Sequence, residues 1–499
     1  LKSSFCLVDE PWLPVRWVAG GTGEVGLRDA LTRAREVRAI NTSNPAQFIA
    51  LLRLLLALMH RAAPVKSVDD AVARLEGNWP TAAIEGYLRL WKTRLDLFHP
   101  NHPFLQAPWL AADELTRDRI FGLAKINPDW SSGNEKTLLD HHHEGQQYCV
   151  APAEAARMLV THQQFVTGGT SRVFKVSDRG GPATGFAQVW AVGDSLLHTL
   201  VLNQIPTGQS HQGHDQPAWE CAGPTPETIR LALPPFEGPA SRYVHTSRSI
   251  LLIREPDGSV CRLHWAEGLI RLDDPQSMDP MEVQRPARDG TWERMRLDVD
   301  RGLWRDAQSL LIRPSGRPAA TIRFAIEVLA DMRQSRTLRV AVGGLLADRA
   351  QLVLWRIEEQ PLPTAVLGDP VLHTTIQRAL EVAEKTGTAF GLALRDMAAQ
   401  RLRHQGKADK QSVTSLVNGL PGERHYWRSL EPRFWTFVLD VDAEGGPDAA
   451  LAHWRSDIRH TVKEAWRSSI GALGTHGRAA MAAAHANRLY NNALATSDA

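Results

Sequence analysis

Lysine is scarce in this chain: ten residues against 47 arginines in a length of 499. Cationic work therefore falls to guanidinium groups, which grip phosphates and carboxylates bidentately where an ammonium makes a point contact. Excess charge is missing too, since 57 basic residues stand against 55 acidic ones for a net charge of +2. That excludes a protein coated in positive charge, so any surface for a polyanion must be local. The four cysteines, Cys6, Cys149, Cys221 and Cys261, form no Cys-x-x-Cys pair. Their spacing argues against a zinc site and a disulfide framework, and fits a reducing cytoplasm. The most apolar run, Phe48 to Met59, is broken by Arg53 and is too short to span a bilayer. We expect no signal peptide and no membrane partner. The Gly-x-x-x-x-Gly-Lys-Ser/Thr spacing of a Walker loop is absent.

What is present is a globular composition, 43% hydrophobic and 22% charged, long enough for two or three domains. Sixteen tryptophans supply large fillers for core and interfaces. A turn at Glu10-Pro11 precedes a strand near Leu13 to Val18, and Gly20-Gly21 makes the next turn. Asn44 followed by Pro45 is a cap and a first-turn proline, predicting a helix to about Ala62. Helices are predicted from about Val68 to Glu76, Thr81 to Leu97, and Pro152 to Gln164. Residues 228 to 313 read as strand-rich, with Ser249 to Ile253 buried and turns at Asp257-Gly258 and Asp289-Gly290. Leu338 to Trp355 reads as strand, turn, strand, a β-hairpin whose tip region carries Gly343, Gly344, Asp348, Arg349 and Gln351. Pro361 and Pro363 mark a boundary. Four helices follow: Pro370 to about Gln405, weakened at Gly387 and Gly391, then Gly422 to Leu439, Pro447 to Leu473 and Gly477 to Leu494. The expected class is α+β, a large mixed N-terminal domain (1–362) followed by a C-terminal four-helix bundle (363–499).

The stretch richest in chemistry runs from Val166 to Pro182. It holds Gly168-Gly169 and Gly180-Gly181, with Thr170, Ser171, Arg172, Lys175, Ser177 and Arg179 between them. Glycine lets backbone approach a ligand closely, and cations with short hydroxyls suit phosphate oxygens. The same residues also make an ordinary surface hairpin whose glycines serve turns. Asp140 to Glu144, with three histidines between, resembles a metal cluster, yet neighbouring side chains on extended backbone point to opposite faces. His99 and His102 sit in a proline-rich turn. His211, His214 and Asp215 carry the His-Asp dyad of metal-dependent phosphohydrolases, but in a glycine-containing loop. The stretch from Arg401 to Arg424 reads as a loop with Arg403, His404, Lys407, Lys410 and Arg424, a locally basic end, or else a solvated helix end.

Taken in order, these segments resemble the large subunit (CasA family) of the type I-E CRISPR Cascade surveillance complex. The matching residues are Glu10-Pro-Trp-Leu-Pro-Val-Arg16, His99 to Gln106, the loop around Asn127, Gly168 to Gly181, Gln216-Pro-x-Trp219 and the Gly343-Gly344 hairpin. The resemblance implies a non-catalytic subunit that recognises the protospacer-adjacent motif in duplex DNA and helps start strand separation and R-loop formation. It implies as partners the other Cascade subunits, the CRISPR RNA, double-stranded target DNA and a helicase-nuclease. The implied DNA contacts are the glycine loop (Gly168, Gly169, Thr170, Ser171, Arg172, Lys175, Arg179), Arg271 on a nearby strand, and the hairpin (Gly343, Gly344, with Arg349 or Gln351 as its wedge). Thr170 stands where the family has a third glycine. Lys125, Asn127, Trp130 and Asn134 match the family's first loop, which meets the guide RNA. Neither metal nor other cofactor is expected.

Overall fold

The computed structural model describes residues 4–127, 148–170, 173–207, 214–274, 277–287, 289–298, 301–307, 317–332, 337–348, 351–367, 369–403, 408–443, 445–474 and 477–498. They divide into two compact units: Leu1–Val299 with Pro318–Ser335 and Arg339–Glu359, and Asp300–Arg317 with Arg336–Leu338 and Gln360–Ala499. The chain mixes helix and sheet and ends in a helical region.

The first unit is organised around the Pro45–Ala62 helix. Asn44 caps it by accepting from Gln47 N–H at 3.0 Å, and Pro45 occupies the first turn. Every residue from Ile49 to His60 is buried, Arg53 included. By length and composition this helix is apolar enough to cross a bilayer, but 72% of it is buried inside the protein. Arg53 and Asp279, both fully buried, are joined at 2.9 Å. The Arg53 guanidinium also donates from Nε to Gln164 Oε1 at 2.8 Å and lies 4.4 Å over the Tyr243 ring. Burial pushes the Asp279 carboxyl up, but the Arg53 and Arg242 guanidiniums outweigh it and hold it below the usual carboxylate range.

Three of the small sheets are three-stranded. Leu13–Trp17 lies between Thr22–Val25 and Val37–Ile40, with Gly20 and Gly21 turning at φ +98° and +81°. Val260–Glu267 lies between Ile120–Gly122 and Arg248–Arg254, pairing Glu267 with Arg248 and Trp265 with Ile250. Thr337–Asp348 lies between Gln351–Pro363 and Gln188–Val192. The expected pair of strands is present, but Gly343 and Gly344, expected in its tip region, sit inside a 12-residue strand. A Cβ on Gly343 would stand 2.7 Å from Ile357 Cγ1, and one on Gly344 2.9 Å from the Phe186 carbonyl oxygen. They are there for close strand packing, not for a bend.

Two further expectations change. The helix starting at Thr81 stops at Leu90 instead of Leu97. Cys149 and Cys261, 112 residues apart, form a disulfide. Val150 and Val260 exchange backbone hydrogen bonds, both 2.9 Å, and this bridge brings the flanking cysteines together. Cysteine spacing thus hid a pair that only tertiary structure makes, and it loses its bearing on redox compartment. Cys6 and Cys221 are free.

In the second unit, helices span Pro370–Leu402, Lys410–Gly419, Gly422–Asp440, Gly446–Leu473 and Gly477–Asp498. The first runs unbroken through Gly387 and Gly391. Gly387 is needed there, because a Cβ would meet Trp427 Cζ2 at 2.4 Å. Trp304 packs against Phe434 and Trp454 at ring distances of 5.1 and 6.1 Å. This aromatic core explains why Asp300–Arg317 clusters with the helices.

Candidate nucleic-acid interface

The glycine stretch folds as a short hairpin in which Gly169 pairs with Asp178 and Thr170 with Ser177. It is anchored at two levels. Val173 and Phe174 are buried in an apolar cluster with Ala107, Leu110, Ile229 and Ala266. The Phe174 N–H donates to Glu267 Oε1 at 2.8 Å, and the Trp109 ring packs edge-on at 5.9 Å. Below the pairing, Gly181 is wedged against the Pro152–Phe165 helix end. Its N–H donates to the Val166 carbonyl at 2.7 Å, and a Cβ would stand 2.4 Å from the Gln164 carbonyl oxygen. The second glycine pair thus serves packing, while Gly168-Gly169 lies on the arm entering the pairing.

A buried arginine holds the two arms. Arg248, 3% exposed, donates to the Thr167 carbonyl at 2.9 Å and the Arg179 carbonyl at 3.1 Å, one on each side. It lies 5.8 Å from the Trp265 ring, and the Lys125 ammonium sits 4.6 Å from the same ring. Arg248 is fixed in turn by Gln163, which accepts from its backbone N–H at 2.9 Å and donates to its carbonyl at 2.8 Å. Lys125, expected in the first loop, is thereby tied to the glycine hairpin through Trp265 and Arg248. Sequence reasoning missed Arg248, Trp265, Glu267 and Gln163; an arginine heading a buried strand, beside Ser247 and Ser249, was the one available signal.

The other expected residues fall as follows. Lys175 is exposed at φ +56°, the left-handed region that a side chain adopts at a cost. Arg179 pairs with Asp273 at 2.5 Å, both largely exposed, so the pair contributes little stability. Asp273 is two residues beyond Arg271, which brings that strand beside the hairpin. Arg271 donates to the Pro234 carbonyl at 3.1 Å and stacks 5.1 Å over Phe236, so its charge is committed to its own surroundings. The long Gln351–Pro363 strand approaches through Trp355, which meets Phe165 edge-on at 5.5 Å. Gly169, Thr170 and Gln351 are placed by backbone only. Trp130, Asn134, Ser171, Arg172, Arg349, His211 and the histidine run 141–143 lie outside the described residues. Asn127 opens on a polar cleft of about 250 Å³, lined by Thr42, Asn44, Gln47, Glu154 and Thr161.

Asp215 serves the fold instead of a metal. Its two oxygens accept from Ala240 N–H at 2.9 Å and Ser241 N–H at 2.7 Å, satisfying the start of the Pro239–Tyr243 helix. His99 Nδ1 accepts from the backbone N–H groups of Asn101 and His102, the work of a turn residue.

Several histidines around this framework are buried neutral. Burial, with the Arg248 and Lys125 charges, holds His162 well below the usual imidazole range. Burial and Arg271 push His245 down to about 3, and burial pushes His60 down to about 4 against the pull of Asp215. The unfolded chain takes up protons near pH 6.5 that the folded chain refuses, so this stability is present above pH 6.5 and lost as pH falls toward 4 and 3. Each group contributes a slope of up to about 1.4 kcal/mol per pH unit in that window. Urea midpoints should fall steadily from pH 7 to pH 5, and His245→Phe should flatten the slope. A flat profile would contradict the burial of these rings as neutral groups.

Residues 7–465 match the family model for CRISPR-associated protein Cse1. A CRISPR-associated protein CasA/Cse1 from Thermus thermophilus is 33% identical over 98% of this chain and 97% of its own length. The crystal structure of Thermus thermophilus CasA superposes with a TM-score of 0.87 at 31% identity, covering 98% of this chain and 99% of that one. A chain of a CRISPR RNA-guided surveillance complex shares the fold, with a TM-score of 0.76 at 24% identity over 98% and 99% of the two chains. With family model, sequence relative and fold agreeing across nearly the whole length, the chain is a member of the CRISPR-associated Cse1 family.

Proposed function

We propose that this chain is a non-catalytic subunit of a CRISPR RNA-guided surveillance complex, and that its glycine hairpin reads a short motif in duplex DNA beside the target. The observation that carries the reading is the Arg248 clamp, which braces both arms of a glycine hairpin flanked by the exposed cations Lys175 and Arg179. A braced loop enters a groove without the entropy loss of ordering itself. Backbone without side chains suits the narrow minor groove, where base-edge information is degenerate and recognition tolerant. Such tolerance is sufficient, because guide pairing supplies sequence specificity. The CRISPR RNA and sibling subunits are the assembly partners. The strand pair Thr337–Asp348 and Gln351–Pro363 opposes restacking of opened base pairs, with Arg349 or Gln351 as its wedge. Residues 363–499 act as a four-helix bundle that, with the N-terminal domain, helps present the target to a helicase-nuclease. Asp215, with both oxygens engaged in the fold, speaks against the phosphohydrolase alternative.

The test is target binding by the reconstituted complex carrying Gly168→Asp with Gly169→Asp. Two carboxylates facing a groove walled by phosphates should weaken duplex binding about tenfold or more. Binding to a single-stranded complement of the guide should be unchanged, which controls for assembly. Equal duplex affinity for both complexes would refute the assignment.

A further inference from the structure

The Gly446–Leu473 helix carries a row of cations the duplex reading does not use. Arg455, Arg459, Lys463 and Arg467 recur at four-residue intervals, so they form one ridge rising about 6 Å per step. The buried residues of the helix, Leu451, Trp454, Ile458, Val462 and Ala465, lie to one side of that ridge. Asp457 and Glu464 lie to the other and are engaged there: Asp457 Oδ1 is 3.7 Å from Arg433, and Glu464 Oε1 is 3.1 Å from His460. On its own helix the ridge carries no carboxylate between Arg455 and Arg467, while Asp498 of the neighbouring helix meets Arg459.

An aromatic pair lies along it. Trp466 and Tyr490, the latter from the Gly477–Asp498 helix, stack at 4.8 Å with planes 10° apart. Trp466 is buried and Tyr490 is half-buried, so the tyrosine backs onto a fixed ring and keeps part of its surface in solvent. Burial raises the Tyr490 hydroxyl, and the nearby Arg467 and Arg459 charges oppose that rise. Both cations are thus close enough to act on the ring's hydroxyl. Arg459 also meets Asp498, an exposed pair that an incoming phosphate displaces at little cost.

We propose that this ridge and the Trp466–Tyr490 stack form a binding site for single-stranded nucleic acid. Evenly spaced cations track successive phosphates, and a rigidly backed aromatic face takes a base without regard to its identity. A duplex hides its base faces, so the aromatic platform favours a single strand. An acidic protein surface would use the cations but leave the tyrosine idle. The site is separate from the glycine hairpin and does not depend on how that hairpin reads duplex.

The test uses the full chain and a labelled 20-nucleotide oligothymidylate, with binding read by fluorescence anisotropy over a salt series. Lys463→Glu with Arg467→Glu should weaken binding at least tenfold and make the slope of log affinity on log salt shallower by roughly 1.4, about 0.7 for each phosphate no longer neutralised. Tyr490→Ala should weaken it about tenfold with the slope unchanged, and Tyr490→Phe should restore it. Gly168→Asp with Gly169→Asp should bind the oligomer as the parent chain does, which separates this site from the duplex reading. Near-ultraviolet circular dichroism of each variant reports whether Trp466 keeps its packing. No binding by the parent chain at low salt, or charge-reversal variants that bind equally well while keeping the Trp466 signal, would overturn the proposal. Binding of polyglutamate that ignores Tyr490→Ala would overturn it too, in favour of a protein partner.

Discussion

Arg53→Met should destabilise the first unit by about 3–5 kcal/mol, among the largest losses any single substitution in this chain can produce. The side chain is fully buried, and its partner Asp279 is equally so. Removing the guanidinium strands a carboxylate in a low dielectric and leaves Gln164 Oε1 without the donor that Arg53 Nε supplies. The double variant Arg53→Met, Asp279→Leu should recover a large part of the loss, because the stranded charge goes with it. Urea unfolding of parent, single and double variants measures this directly; strictly additive losses would show that the pair is not coupled. The effect reaches the candidate interface, since Gln164 is the residue whose carbonyl backs Gly181.

Arg248→Met should loosen the glycine hairpin while leaving most of the fold in place. Two charge-assisted bonds, to Thr167 and Arg179, are lost together. At roughly 1.5–3 kcal/mol each, the opening free energy of residues 166–181 should fall by about 3 kcal/mol. Hydrogen exchange there should speed up about a hundredfold, with little change in the Pro45–Ala62 helix. Duplex affinity of the assembled complex should drop with it, because the free loop must now be ordered on binding. Unchanged exchange at Thr170 and Arg179 would mean that Phe174 and Gly181 alone hold the hairpin.

Local signals were legible where local physics decides. Asn44-Pro45 announced a helix start because cap and proline act within one turn. Asp257-Gly258 announced a turn, with Gly258 at φ +93°. Gly343 and Gly344 were legible as part of a hairpin but not as strand interior, because they let a strand approach Ile357 and the Phe186 carbonyl, neighbours invisible in sequence. The Lys410–Gly419 helix was read as a basic loop, although Asp409 caps it by accepting from Ser412 N–H at 2.9 Å. In the interface, glycines and cations stood out by composition. The Arg248 clamp did not, because it joins residues 69 and 81 positions apart. The Cys149–Cys261 disulfide was hidden in the same way.

The central claim is that Gly168 and Gly169 enter the minor groove of duplex DNA. Hydroxyl-radical footprinting of target duplex bound to the reconstituted complex tests it most directly, since cleavage reports minor-groove access nucleotide by nucleotide. The account predicts protection of the two or three base pairs adjoining the guide-matched sequence, lost with Gly168→Asp and Gly169→Asp while the guide-paired region stays protected. Protection that persists unchanged in the double variant, or no protection beside the guide-matched sequence in the parent complex, would contradict it.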